Sequence, residues 1–256
     1  MVDALSVVTL AIYAALVLPV LYLLVRHGRE GLLGWLFLFL FCTLRIVGSA
    51  LEIKSSSSAA TIISNVGLSP LLFATSGILH EARALFVRNL NQKQEMAGAL
   101  LFHIFVAAGV ALTAAGSAKV QQNQQPDKAE GIMKAGIVIL CAAWGGLVGY
   151  AGASYTSPVK NGRAARAGKL LLASVCVALV FIGVRMWYSL VALCTQKPYL
   201  SPSTGSMPIR VVLAFLPELI AAMIFVVAGF VTQGSSQVAD DESDLSEPQK
   251  PLPEEI

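Results

Sequence analysis

The stretch FLFCTLRIVGSALEI, Phe39 to Ile53, is almost entirely apolar, as in a membrane-spanning helix, and yet it carries two charges, Arg45 and Glu52. Apolar segments dominate the whole chain: 56% of its 256 residues are hydrophobic and 13% are charged. The mean hydropathy is +0.71. Soluble domains usually contain about 25% charged residues. The composition therefore predicts a membrane-embedded protein.

Seven segments are long and apolar enough to cross a bilayer as helices, which requires about 20 residues each. They predict an all-α, polytopic bundle of seven transmembrane helices over residues 1–232. Residues 233–256 are acidic and contain Ser and Pro, a composition that predicts a disordered tail. The predicted spans are 4–25, 31–53, 61–87, 96–118, 131–153, 168–193 and 208–232.

Basic residues are concentrated in the first, third and fifth loops, and such loops usually face the cytosol. This pattern predicts an N-terminus in the lumen or outside, a cytosolic tail and an endomembrane location. The first segment lacks a basic n-region, so we interpret it as a retained helix rather than a signal peptide. No basic stretch has interleaved aromatic residues, which argues against nucleic-acid binding. The sequence gives no indication of a soluble protein partner, and membrane lipids are the expected surroundings.

Small residues predict where the helices approach each other closely. Gly145 and Gly149 form a GxxxG motif, and Gly152 follows almost one turn later. The fourth segment has a second small-residue run at 107–109. We expect both sets to pack helices within the bundle.

Charges inside hydrocarbon are costly and usually face a partner or a cavity. Counted from the predicted outer helix ends, Arg45 and Arg185 lie about 12 Å deep and Glu218 lies about 15 Å deep. Glu52 lies near the outer interface. Arg45 and Glu52 share a helix face but stand about 10 Å apart along its axis. We therefore expect each of them to face across the bundle rather than to pair.

Two deep arginines facing one deep acid, Glu218, leave one positive charge in this layer. An anionic ligand group, or Glu52 reaching down, would balance that charge. Pro217 directly precedes Glu218 and removes a backbone hydrogen bond, which should loosen the helix there. The alternative interpretation is an ion pair between Glu218 and Arg45 or Arg185 that only locks helices two, six and seven together.

Neighbouring polar and aromatic residues complete the predicted pocket. Asn65 lies at a similar depth on the third helix, and Trp187 and Tyr188 adjoin Arg185 on the sixth. In contrast, we interpret the segment ILHEARALF, which holds His80, Glu81 and Arg83, as a set of anchors at the membrane interface, with an acid–base role as the alternative. His103 is interpreted as a packing residue.

Metal and cofactor motifs are missing from the sequence. None of the three histidines is paired at i, i+4, and there is no Gly-rich phosphate loop or G-x-S-x-G elbow. The acidic run at 240–244 lies in the predicted tail and is typical of a solvated charge run. The sequence therefore predicts neither a metal site nor a bound cofactor.

The segments LRIVGSALEI and GLSPLLFATSGILHEA, with the Arg-then-Glu order of the last two helices, resemble a family of small fungal seven-helix membrane proteins. That family is similar to the membrane-bound terpene cyclases of ascochlorin and ascofuranone biosynthesis. Those enzymes cyclise prenylated aromatic compounds, often through a terminal epoxide. The resemblance implies a terpenoid cyclase or isomerase of secondary metabolism, with a hydrophobic substrate that enters from the bilayer and no cofactor.

Such chemistry fits the predicted charge layer. Glu218 or Glu52 would be the general acid at the epoxide oxygen. An arginine of the layer would orient the substrate ring, and Tyr188 and Trp187 would offer aromatic faces to a carbocation.

A non-enzymatic seven-helix protein, either a receptor-like sensor or a transporter-like component, is the competing hypothesis. Short cytosolic loops weigh against the receptor, and the lack of an inverted repeat weighs against the transporter. The cyclase hypothesis requires Arg45, Glu52, Arg185 and Glu218 to line one cavity.

Overall fold

A computed structural model of the chain describes residues 4–54, 63, 67–88, 91–122, 126–200 and 205–234. Within these ranges the chain folds into seven helices, and its only extended pairing is an isolated bridge between Val87 and Val159. The predicted all-α fold is therefore confirmed. The helices are α1 (Ala4–Arg26), α2 (Gly28–Lys54), α3 (Ser69–Phe86), α4 (Gln92–Gln121), α5 (Pro126–Ser154), α6 (Arg163–Thr195) and α7 (Met207–Thr232).

Six of these helices, all except α3, are long and apolar enough to cross a membrane. The protein is thus a polytopic membrane protein. We call the end of the bundle where α1 begins the Ala4 side and the end where α1 finishes the Arg26 side.

Helix α3 differs from the other six because it is the central helix. It has 18 residues, of which 14 are buried. It contacts α2, α4, α5 and α6. A helix enclosed by other helices exposes little surface to lipid, so it can carry polar residues that would be costly on an outer helix.

The third predicted span, 61–87, is interrupted by a turn at Gly67 and Leu68, and α3 follows it from Ser69. Within the earlier part of this span the structure describes only Ile63, which is helical. Pro70 occupies the first turn of the helix, a position where proline is favoured because its missing N–H would have no partner.

The seven helices form two groups that meet at α3 and α6. Helices α1, α2, α3, α6 and α7 form a closed ring in which each contacts the next, and α7 contacts α1. Helices α4 and α5 pack together as a hairpin against α3 and α6. Large buried side chains fill the ring, including Tyr13, Trp35, Phe41 and Phe225.

Helix α7 contains an irregular turn at a chemically important place. Residues Val211–Phe215 form a π-helical turn, and Pro217 lies in the first turn of the α-helix that follows. Proline lacks an N–H and its ring clashes with the carbonyl four residues earlier, so a regular α-helix cannot run through this point. The predicted loosening before Glu218 is confirmed.

Glycines bring particular helix pairs into contact, although the prediction was only partly right about which ones. A Cβ on Gly136 of α5 would lie 2.7 Å from the Gly109 carbonyl oxygen of α4, so the prediction is confirmed at Gly109. In contrast, a Cβ on Gly145, Gly149 or Gly152 would meet no neighbouring atom within 4 Å. The expected packing role of these three is wrong within the described chain, because they lie on an open face of α5.

The closest helix crossing joins α2 to α3. A Cβ on Gly77 would lie 2.4 Å from the backbone nitrogen of Gly34, and a Cβ on Gly34 would lie 2.7 Å from the backbone nitrogen of Ile78. Backbone atoms cannot move aside as a flexible side chain can. Only glycine therefore fits at these two positions.

We predict that Gly77→Ala lowers the free energy of unfolding by about 1–3 kcal/mol, because the new methyl group forces two packed backbones apart. Gly149→Ala is the matched control and should change it by less than about 0.5 kcal/mol. Thermal unfolding of the purified protein in detergent micelles measures both. Equal effects of the two substitutions would contradict the assigned crossing.

Candidate functional site

Three charged side chains from three helices meet inside the ring on the Ala4 side. Helix α2 supplies Arg45, α6 supplies Arg185 and α7 supplies Glu218, which is only 2% exposed. Arg185 Nε donates a hydrogen bond of 2.8 Å to Glu218 Oε1. Arg45 Nη2 forms an ion pair with Glu218 Oε2, outside hydrogen-bond geometry. Both carboxylate oxygens are therefore engaged by cations.

Aromatic side chains surround this ionic group. The Arg45 guanidinium lies 5.5 Å from the centre of the Phe41 ring, within cation–π range. Tyr13 packs edge-on against Phe41 at 5.5 Å and against Phe215 at 6.4 Å. An apolar wall of this kind strengthens the attraction between the charges and makes their separation costly.

Glu52 lies above this group, nearer the Ala4 side. Its Oε2 accepts a hydrogen bond of 2.6 Å from the Ser6 hydroxyl of α1. Within the described residues it forms no ion pair, as its distance from Arg45 along α2 predicted. The side chain is half-buried.

One cavity joins all four predicted charged residues. It encloses about 60 Å³ between α1, α2, α6 and α7. Since one ordered water molecule needs about 10–15 Å³ of such cavity volume, the cavity has room for a few waters or a small polar group but not for a prenyl chain. Its charged lining residues are Arg45, Glu52, Arg185, Arg210 and Glu218.

The other predicted binding residues lie elsewhere. Trp187 is 55% exposed and lines an apolar groove on the outside of α6, so the prediction that it faces the site is wrong. A residue two positions after Arg185 is rotated by about 200° around the helix, which turns Trp187 away from the cavity. Tyr188 is buried and its ring lies 5.6 Å from the Arg185 guanidinium, but its hydroxyl donates to the Leu200 carbonyl at 3.0 Å. Asn65 lies outside the described residues.

A second polar network lies near the Arg26 side. Glu81 of α3 is 2% exposed, and its Oε1 lies 2.6 Å from His27 Nδ1. Its Oε2 accepts a 3.0 Å hydrogen bond from the Trp35 indole, and His27 Nε2 donates to the Gly229 carbonyl at 3.0 Å. The prediction that Glu81 is an interface anchor is therefore wrong. His27 was missed because it lies between two apolar segments, where a histidine normally indicates a loop.

A third network joins α3 to the α4–α5 hairpin. Arg83 Nη2 donates to Glu95 Oε1 at 2.9 Å, and Arg83 Nη1 donates to the Ser154 hydroxyl at 2.7 Å. The Tyr150 hydroxyl also donates to Glu95. Arg83 is thus a buried tie between helices and not an anchor, whereas His80 is partly exposed and 3.8 Å from Glu95 Oε2.

His103 packs as predicted. Its ring stacks on Phe73 with 4.9 Å between the ring centres, and its Nδ1 donates to the Ala99 carbonyl at 2.6 Å. No group of three or more His, Cys, Asp or Glu side chains suited to a metal ion occurs in the described parts of the chain.

The chain belongs to the family described as a domain of unknown function, DUF7702, whose model matches residues 1–235. This match spans all seven helices. No curated protein and no solved structure matches the chain. The chemistry of the site must therefore be argued from its geometry.

We predict that Glu218→Gln destabilises the protein by about 3–5 kcal/mol, because it leaves two buried guanidinium groups without a counter-ion. Arg45→Met should cost less, since the Arg185–Glu218 pair remains intact. Thermal unfolding in detergent micelles compares the two variants.

Glu130→Gln is the control, because Glu130 pairs with Lys134 on the same helix at a partly exposed position. It should leave the unfolding temperature nearly unchanged. An Arg45→Met variant less stable than Glu218→Gln would contradict a carboxylate shared by both arginines.

Proposed function

We propose that the protein is a membrane-embedded cyclase or isomerase of a prenylated, lipid-like substrate, and that it holds the reacting polar end of that substrate in the charged cavity. The observation that carries this proposal is one cavity, inside membrane-spanning helices, lined by two acids and three arginines. Ionisable groups in such surroundings are expensive and usually serve a function. The substrate would come from the bilayer, and no cofactor is required.

The two acids differ in how free they are to react. Both oxygens of Glu218 are held by arginines, so neither is available to carry a proton to a substrate. Glu52 has no described ionic partner and lines the same cavity. We therefore assign the general acid to Glu52 and give Glu218 the role of positioning Arg45 and Arg185.

The proposed reaction is an isomerisation. Glu52 donates its proton to an epoxide oxygen, the carbon–oxygen bond breaks, and an alkene of the prenyl chain attacks the resulting cation. Loss of a proton from carbon ends the reaction and restores the acid, so substrate and product have the same composition. This sequence of steps needs no oxidant or reductant.

The size of the cavity sets a condition on this proposal. A volume of about 60 Å³ holds the polar end only, so the cavity has to widen when a substrate enters. A shift of α1 away from α7 would widen it, because α1 forms one wall of the cavity and is packed mainly on α2.

The alternative function is a non-enzymatic one, as a receptor-like sensor or a transporter-like component. The small cavity and the doubly engaged Glu218 favour this alternative, because a closed ionic group needs only to bind or release a ligand to change helix packing. The two functions share the site and differ in whether the ligand is converted.

We further propose an endomembrane location with a lumenal N-terminus and a cytosolic C-terminus. The support is that basic residues are more numerous on the Arg26 side, as expected for a cytosolic side. Basic residues on that side are Arg26, Arg88, Lys93, Lys160, Arg163, Arg166 and Lys169, whereas the Ala4 side has Lys54, Lys119, Lys128, Lys197 and Arg210.

We predict that yeast microsomes containing the protein convert a prenylated phenol epoxide to a cyclic isomer, and that Glu52→Gln lowers the rate by about 100-fold or more. Product formation is followed by chromatography and mass spectrometry. Glu130→Gln is the control and should keep the wild-type rate, since Glu130 lies on α5 away from the cavity.

Unchanged turnover in Glu52→Gln would remove Glu52 from the acid role. Binding of the epoxide without conversion by the wild-type protein would favour the non-enzymatic alternative.

A further inference from the structure

We infer that the cavity is a binding site for a carboxylate group carried by an amphipathic ligand, with Arg45 as its main contact. This inference rests on the proposed function only in taking the cavity as a ligand site, and it does not depend on catalysis. The chain supplies one carboxylate, Glu218, to a pair of arginines, and the ligand supplies the second.

The first argument is charge balance. Arg45 and Arg185 share a single carboxylate, that of Glu218, so this ionic group carries one surplus positive charge. Glu52 forms no ion pair with either arginine in the described structure, and its Oε2 accepts a hydrogen bond from the Ser6 hydroxyl of α1. A surplus cation inside a membrane-spanning bundle calls for an anion from outside the described chain.

The second argument is the unequal state of the two arginines. The Arg185 side chain is 4% exposed and donates to both Glu218 and Ser189. The Arg45 side chain is 15% exposed, and its buried Nε has no hydrogen-bond partner among the described residues. Since a guanidinium has five N–H donors in a fork that matches a carboxylate, Arg45 has unused donor capacity.

The third argument is the space beside Arg45. A Cβ added to Gly67 would lie 3.3 Å from the Arg45 Cζ and 3.4 Å from its Nη2. Glycine at this position therefore puts no side-chain atom against this side of the guanidinium. An alanine there would press on the guanidinium without changing any charge.

The fourth argument is the chemical character of the remaining lining. The cavity of about 60 Å³ fits a carboxylate group, and Leu5, Leu44 and Phe215 add apolar surface beside the charges. A ligand with a carboxylate at one end and a hydrocarbon chain at the other would match both. A carboxylate can also come from a small water-soluble acid, and the two sources differ in how much the hydrocarbon chain contributes to affinity.

The test uses the full-length protein in dodecyl maltoside micelles and radiolabelled dodecanoate as the probe. We expect saturable binding that unlabelled dodecanoate displaces and dodecanol does not. Arg45→Gln should weaken binding about tenfold or more, the loss expected for a charged hydrogen bond. Lys169→Gln, which removes one exposed positive charge from α6, is the matched control and should bind like the wild type.

Gly67→Ala is a second test, needed because Arg45→Gln could lose binding by misfolding. It keeps every charge and should still weaken dodecanoate binding. If acetate displaces the labelled dodecanoate as effectively as unlabelled dodecanoate does, the carboxylate site is supported. The ligand is then a small water-soluble acid rather than a lipid. Wild-type affinity in Arg45→Gln, or displacement by dodecanol, would overturn the inference.

One acid outside the described residues needs its own variant. Asp3 directly precedes α1, whose Leu5 and Ser6 line the cavity. If Asp3→Asn raises dodecanoate affinity about tenfold, the chain supplies its own counter-ion and the inference is wrong. Unchanged affinity supports it.

The Glu52→Gln variant separates this inference from the proposed enzyme. It should bind dodecanoate like the wild type, because glutamine keeps the size of the side chain and Arg45 remains in place, while it fails to cyclise an epoxide. If the wild-type protein cyclises the epoxide but does not bind dodecanoate, the carboxylate site is wrong and the proposed enzyme stands. If the wild-type protein binds dodecanoate but converts no epoxide, the proposed enzyme is wrong and the carboxylate site stands.

Discussion

The sharing of one carboxylate, Glu218, between Arg45 and Arg185 is the interaction on which the arrangement of the ring depends. In hydrocarbon the helices gain little from burying apolar side chains against each other, because lipid is equally apolar. A charged side chain, however, strongly favours the one helix rotation that brings it to its partner. The shared carboxylate therefore fixes the rotation of α2, α6 and α7 together, and α1 and α3 close the ring beside them.

The same constraint operates at the opposite end of the bundle with different residues. Glu81 ties α3 to the α1–α2 junction and, through His27, to α7. Arg83 ties α3 to α4 and α5. Both of these ties start from the central helix, which explains why α3 carries buried charged residues and is not among the six helices that are long and apolar enough to cross a membrane.

The three networks differ in how their charges balance, and this difference bears on function. Glu81 has His27 and Trp35 as partners, and Arg83 has Glu95, so each charge of these two networks meets a partner supplied by the chain. The network on the Ala4 side has two arginines for one acid and adjoins a cavity. Structural ties need no cavity and no surplus charge, so this network is the one that points to a ligand.

The sequence predicted most of the fold because the length and hydropathy of a segment are set by bilayer thickness. It also predicted that Arg45, Arg185 and Glu218 lie in one layer of the bundle, since the height of a residue follows from its position along a helix. It did not predict rotation about the helix axis. Trp187 was wrongly assigned to the site for this reason, because in a membrane both faces of a helix are apolar.

Two other errors have related physical causes. The GxxxG motif that includes Gly145 lies on an open face of α5, since a glycine pair has the same spacing whether or not a helix packs on it. Glu81 and Arg83 were placed at the interface because hydropathy alone cannot distinguish a helix end in the headgroup region from a buried central helix. In both cases the missing information is which neighbour a helix face meets.

Arg45 distinguishes an ion pair that only holds helices together from a site that binds a ligand. A lock between α6 and α7 needs only Arg185 and Glu218, which already form a direct hydrogen bond at 2.8 Å. Burying Arg45 beside them adds a large desolvation cost, and a carboxylate that is already paired compensates only part of it. Arg45 also keeps a buried Nε without a hydrogen-bond partner among the described residues, and the neighbouring Gly67 has no side chain to cover the guanidinium. Helix packing alone does not account for these features, whereas a site that receives a second carboxylate accounts for all of them.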